Sequence, residues 1–116
     1  MITVNESIAI DRPQADVFAY LGDPRNRVEW DSSVISEELT SPEPIEAGST
    51  LRTRMLAVGR EVTFEWRIER FVPPTGLTVA STSGPMETTL RIEITGMDAA
   101  CTVTATISDV AVPLRA

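Results

Sequence analysis

The sequence predicts an α+β fold in which two short helices follow the first strand of a seven-stranded antiparallel sheet. Three observations predict it. Apolar and polar residues alternate with a period of two in seven segments, and a helix-type pattern with proline starts occupies 13–31. The connections between the later strands are also far shorter than the dozen or more residues that a parallel return needs.

Residues 2–10 place Ile2, Val4, Ile8 and Ile10 at even positions, one face of a first strand. Asp11, Arg12 and Pro13 end it, and Pro13 suits a first helical turn, where its missing N–H would be unpaired in any case. Val17, Phe18, Tyr20 and Leu21 form the apolar stripe of a helix of about two turns, with Gly22 as its stop. Asp23 and Pro24 repeat the start signal for a second short helix running to about Asp31, the carboxylate accepting the free N–H groups. Val28 and Trp30 cannot share one face of that helix. Trp30 therefore marks its exit, packed beneath the sheet or at a pocket mouth.

Beyond Asp31 the period changes to two. Strands are expected near 34–41, 49–58, 60–71, 76–83, 86–96 and 100–110, separated by turn signals at 42–48, 58–59, 73–76, 84–85 and 96–99. Such a run is a meander.

The faces of these strands are legible. Val62, Phe64, Trp66 and Ile68 oppose Glu61, Thr63, Glu65, Arg67 and Glu69. Met86, Thr88, Leu90, Ile92 and Ile94 oppose Glu87, Thr89, Arg91, Glu93 and Thr95, and Cys101, Val103, Ala105 and Ile107 alternate with Thr102, Thr104, Thr106 and Ser108. Leu51, Thr53, Met55 and Ala57 oppose Arg52, Arg54 and Leu56, and Leu77, Val79, Ser81 and Ser83 oppose Thr78, Ala80 and Thr82. Each large side chain on the apolar face contributes about 1.5–3 kcal/mol on burial, so that face requires a cover. Two short helices cover part of it. A further helix, a second copy of the chain or a bound apolar molecule must cover the rest.

Composition narrows the chemistry. The 116 residues make one domain, 1–116, and 42% apolar content is too high for disorder. Ten Arg, no Lys and seventeen Asp and Glu leave a net charge of −7, which repels phosphate backbones, so no nucleic-acid partner is expected. One Cys forms no internal disulfide, no signal-peptide pattern opens the chain, and no apolar run reaches the roughly 20 residues that span a bilayer. A cytoplasmic protein without an integral membrane segment is the expectation. No His is present, which removes His-based triads and His-containing metal sites. No cofactor or metal is expected, and binding rather than catalysis is the default.

The order of one strand, two short helices and six antiparallel strands resembles the helix-grip fold of the START-like (SRPBCC) superfamily, which includes pollen-allergen-like proteins and the polyketide cyclase/dehydrase family. Residues 7–13, Val17 to Leu21, Asp23 to Asn26, Glu29 and Trp30 carry the likeness, with Gly48, Phe64 and residues 69–74 adding to it. The resemblance implies a curved sheet and a cavity holding a small hydrophobic molecule such as a lipid, polyketide or quinone. It also implies a long C-terminal helix across the concave face, whereas this sequence stops at 112–116; Pro113 could open such a helix, so truncation is expected, and otherwise a homodimer whose concave faces cover each other.

The inward residues agree with a cavity. Met55, Phe64, Trp66, Val79, Met86 and Leu90 supply apolar surface, and Thr53, Ser81 and Thr88 supply sparse polar points; with Trp30 at the mouth these are the candidate ligand-binding residues. The alternative is that they fill a core. No catalytic residue is identified: Tyr20, Glu29 and Asp31 lie near the expected mouth, and Arg52 and Arg54 would turn inward only if their strand slipped by one residue. Cys101 reads as core packing. The function expected is hydrophobic-ligand binding, with a polyketide cyclase or dehydratase, or an interaction module using the concave face, as alternatives.

Overall fold

A computed structural model describes residues 2–57, 59–85, 87–97 and 99–109. Strand β1 (Ile2–Ile10) is followed by α1 (Gln14–Leu21). Pro13 stands at the N-cap rather than in the first turn: its backbone is extended, and its carbonyl accepts the N–H groups of Asp16 and Val17 at 3.1 Å. Gly22 closes the helix, its N–H donating to the Phe18 carbonyl at 2.7 Å. The Asp23 carboxylate accepts the Arg25 N–H at 3.0 Å and caps a 3-10 turn, Pro24–Asn26, that leads into α2 (Arg27–Trp30). The Arg25 guanidinium against the same carboxylate holds the Asp23 carboxyl below its ordinary range.

Six strands follow: β2 (Val34–Leu39), β3 (Thr50–Ala57), β4 (Arg60–Val72), β5 (Gly76–Ser83), β6 (Thr88–Met97) and β7 (Ala100–Asp109). The sheet order is β1-β7-β6-β5-β4-β3-β2, with every neighbouring pair antiparallel. The sequence predicts the meander from β2 to β7; the pairing of β1 with β7, Ile8 opposite Val103 and Ile10 opposite Cys101, is a long-range contact that alternation does not encode.

Cross-strand pairs such as Leu51 with Trp66, Thr53 with Phe64, Val79 with Leu90 and Ile94 with Val103 align the apolar rows on the concave face. Val17 and Phe18 of α1 join that core, Phe18 meeting Phe71 edge-on at 5.3 Å between centroids. Gln14 Nε2 donates to the Ile94 carbonyl at 2.6 Å and fastens α1 to β6. Cys101 is buried within the same cluster, as core packing predicts.

On the opposite face Arg52 pairs with Glu38 and Glu65, and Arg54 with Glu61, all in exposed positions. The one-residue slip that would have carried Arg52 and Arg54 inward does not occur. Neither arginine reaches the concave side.

The helices cover the middle of the concave face and leave its β1 end open. Val4, Ile8 and Ile107 share the inward parity but are exposed, Ile8 by 62%, so the two helices leave that part of the apolar face uncovered. The expected final helix at Pro113 lies outside the described residues. Among the described residues no helix is long and apolar enough to cross a membrane.

A close approach fixes one turn of the sheet. Gly84 has φ +150°, and a Cβ there would stand 2.6 Å from the Phe64 ring, which itself stacks on Trp66 at 5.0 Å between centroids.

Candidate functional site

The polar part of the concave face originates in an irregularity of β2. Val34 pairs with Met55 and Ser36 with Arg54, so Ile35 is an extra residue and the alternation resets across it. Val34 is buried before the bulge, and after it Glu37 and Leu39 stand opposite the inward Thr53 and Leu51. A carboxylate is thereby carried into the apolar face.

Glu37 has a side chain only 3% exposed. Its Oε2 accepts from Arg27 Nη1 at 3.2 Å and from the Thr53 hydroxyl. The Thr53 oxygen in turn accepts the indole N–H of Trp66 at 3.0 Å. Arg27 opens α2, places its guanidinium carbon 5.9 Å from the Trp66 ring centroid and reaches Asp31 with Nη2 at 3.5 Å. The Ser33 hydroxyl and N–H hold Asp31 at 2.6 and 3.0 Å. Burial pushes the Glu37 carboxyl above its ordinary value, against the opposing pull of Arg27 and Thr53.

Two spaces adjoin this network. An inner pocket of about 30 Å³ is bounded by Glu37, Arg27, Trp66, Val79 and Leu90 among others. An outer cleft of about 510 Å³ lies between Ile8 and Ile10 of β1, Val103 and Ile107 of β7, and the helical segment. Leu21, Arg27, Trp30, Leu90 and Ile92 wall both. Glu6 and Asp31 bring carboxylates to the outer cleft. A third cleft of about 470 Å³ lies on the far side of Leu21 and Trp30, beside Arg12 and Tyr20.

Of the residues singled out in the sequence, Trp30 stands at the junction of all three spaces, 40% exposed, which selects the pocket mouth over the core. Leu90 walls the inner pocket and the outer cleft, and Trp66 and Val79 the inner pocket. Thr53, Met55, Phe64, Ser81 and Thr88 do not line these spaces: Thr53 and Phe64 are buried, Met55 packs against the core, and the Ser81 hydroxyl accepts the Thr88 N–H at 2.9 Å. Met86 lies outside the described residues. Tyr20 donates to Glu29 at 2.9 Å on the helix surface, and this acceptor raises its pKa. Asp31 alone of the expected polar candidates reaches the outer cleft.

Arg27 and Glu37 are the residues that sequence reasoning missed. Glu37 lies in a six-residue strand whose bulge breaks the parity, so no alternation pointed to it. Glu6 is different: it shares the even parity of Val4 and Ile8, a signal present in the sequence. Among the described residues, no three His, Cys, Asp or Glu side chains cluster to hold a metal ion.

A family model described as polyketide cyclase / dehydrase and lipid transport matches residues 1–115. No curated protein sequence matches. Among solved structures the chain is similar to the ZhuI aromatase/cyclase from Streptomyces sp. R1128, with a TM-score of 0.82 at 15% identity over 99% of this chain and 70% of that one. It is similar to a START superfamily protein from Mycobacterium smegmatis, with a TM-score of 0.81 at 13% identity over 98% of this chain and 79% of the other. It also resembles major latex-like protein 151 from Panax ginseng, with a TM-score of 0.71 at 15% identity over 97% and 81% of the two chains. At these identities the likeness concerns the helix-grip fold.

Proposed function

The chain belongs to the polyketide cyclase/dehydrase and lipid transport family, and from that membership we propose that it binds one small hydrophobic molecule in the outer cleft. The observation that carries this reading is the cleft itself. Its volume of about 510 Å³ falls in the range of about 300–1,000 Å³ typical of small-molecule sites. Ile8 and Ile107 on one side and Trp30 on the other leave apolar surface in water that a bound hydrocarbon would cover, and Arg27 and Asp31 supply polar points at one end. The test is the melting temperature in the presence of fatty acids, polyphenols and quinones. A ligand at 100 times its Kd adds about 2.7 kcal/mol of stability, a shift readily measured. No shift with any of them overturns the reading.

A cyclase or dehydratase activity is the second reading. What favours it is Glu37, a buried carboxyl with a raised pKa held against a guanidinium, a combination shared by tuned acid–base groups. Turnover of a polyketide analogue by the wild type and not by Glu37→Gln supports it. Binding without turnover removes it.

A further inference from the structure

We propose that Glu37 selects for a hydroxyl group on the bound molecule, accepting its hydrogen bond inside the inner pocket while the hydrocarbon body stays in the outer cleft. This rests on the reading that the outer cleft holds a hydrophobic molecule.

The two oxygens of Glu37 are used unequally. Both of its hydrogen bonds, from Arg27 and from Thr53, end on Oε2, and Oε1 accepts none among the described residues. Beside it, Arg27 Nε is fully buried and likewise without a partner among the described residues. Since Glu37 borders the inner pocket, its free acceptor has that pocket to face. A carboxylate oxygen can take about two hydrogen bonds, and little else around this pocket competes for a donor, the walls being largely apolar.

Size and charge then restrict the guest. About 30 Å³ accommodates one water-sized group and excludes a ring. Arg27 already balances the Glu37 charge at 3.2 Å, so a neutral donor fits, whereas a second carboxylate would set a like charge against Glu37. The shared walls of Leu21, Arg27, Trp30, Leu90 and Ile92 put the outer cleft next to this pocket, and the proposed guest spans the two. The raised pKa of Glu37 accords with a group that gains from one more donor.

The chain of bonds supplies its own reporter. Trp66 donates its indole N–H to Thr53, which donates to Glu37, while Trp30 stands at the mouth. In a ¹⁵N-labelled protein titrated with 2-naphthol and with 2-methylnaphthalene, the Trp30 indole signal should move with both, and the Trp66 signal with 2-naphthol only. 2-Naphthol should bind about tenfold or more tightly, as expected for a hydrogen bond to a charged acceptor. Glu37→Gln should lessen that preference, and the double variant Arg27→Met/Glu37→Met, which removes the buried pair as a unit, should reduce it to less than about twofold. If Trp30 moves with neither compound, the ligand-binding reading fails. If both compounds bind with equal affinity, or the preference survives in the double variant, the selection by Glu37 is overturned while ligand binding stands.

Discussion

Arg27 and Glu37 meet at 3.2 Å between α2 and β2, with side chains 13% and 3% exposed. An ion pair this far from water has lost most of the hydration of both partners, and its stability depends on each remaining opposite the other. Arg27→Met should therefore lower stability by about 3–5 kcal/mol, because it leaves a buried carboxylate uncompensated. Arg27→Met/Glu37→Met should restore stability to within about 1 kcal/mol of the wild type or exceed it. Urea midpoints with unchanged m-values decide the matter.

Glu37 also predicts a pH dependence. Its pKa in the folded protein lies above its ordinary value of 4.5, so the native state holds this proton more tightly than the unfolded chain does. Stability linked to Glu37 is therefore complete below pH 4.5 and is lost as the pH rises through the native value. Wild type should lose stability relative to Glu37→Gln as the pH is raised from about 4 to about 7. A constant difference between the two stability curves would contradict the assignment.

Thr53 is fully buried and bridges Trp66 to Glu37. Thr53→Val keeps the shape while stranding the indole N–H and removing a donor from the carboxylate, at a cost of about 1–3 kcal/mol. Near-ultraviolet circular dichroism should register the change at Trp66. An unaltered spectrum and stability would mean that the bridge is dispensable.

Gly84 and Gly48 both have positive φ but differ in surroundings. At Gly84 an added methyl would meet the Phe64 ring at 2.6 Å, whereas at Gly48 nothing lies within 4 Å. Gly48→Ala should cost about 1 kcal/mol from backbone strain alone, and Gly84→Ala clearly more, because Phe64 must also move. Thermal unfolding of the two variants should rank them in that order.

Ile8 separates binding from folding. Being 62% exposed, it contributes little to the core, so Ile8→Ser should change stability by less than about 0.5 kcal/mol. It walls the outer cleft, and the variant should bind 8-anilinonaphthalene-1-sulfonate more weakly than the wild type. Equal affinity would place the dye, and the site, elsewhere.

The sequence made the strands legible because β4 alternates without interruption from Glu61 to Glu69, and because turn residues separate its neighbours. The mismatch between Val28 and Trp30 on a short helix left Trp30 either beneath the sheet or at a pocket mouth, and only its exposure in the fold separates the two. What alternation does not report is which inward side chains meet one another and which meet empty space. Phe64 and Thr53 point inward as expected, but one stacks on Trp66 and the other hydrogen-bonds to it, so neither borders a cleft. Glu37 was hidden for a separate reason: one extra residue, Ile35, inverts the parity of a strand too short to show a second period. Arg27 reaches it from a helix of one turn, a contact set by tertiary structure.

The pairing of β1 with β7 has a consequence for biogenesis. Ser7 and Thr104, whose hydroxyls meet at 2.9 Å across that ladder, are separated by 97 residues. During translation β1 is made before β7, so its hydrogen-bonding edge has no sheet partner until β7 has emerged. Closure of that edge carries the loop-closure cost of a contact distant in sequence, which makes it one of the slower pairings of the fold to form.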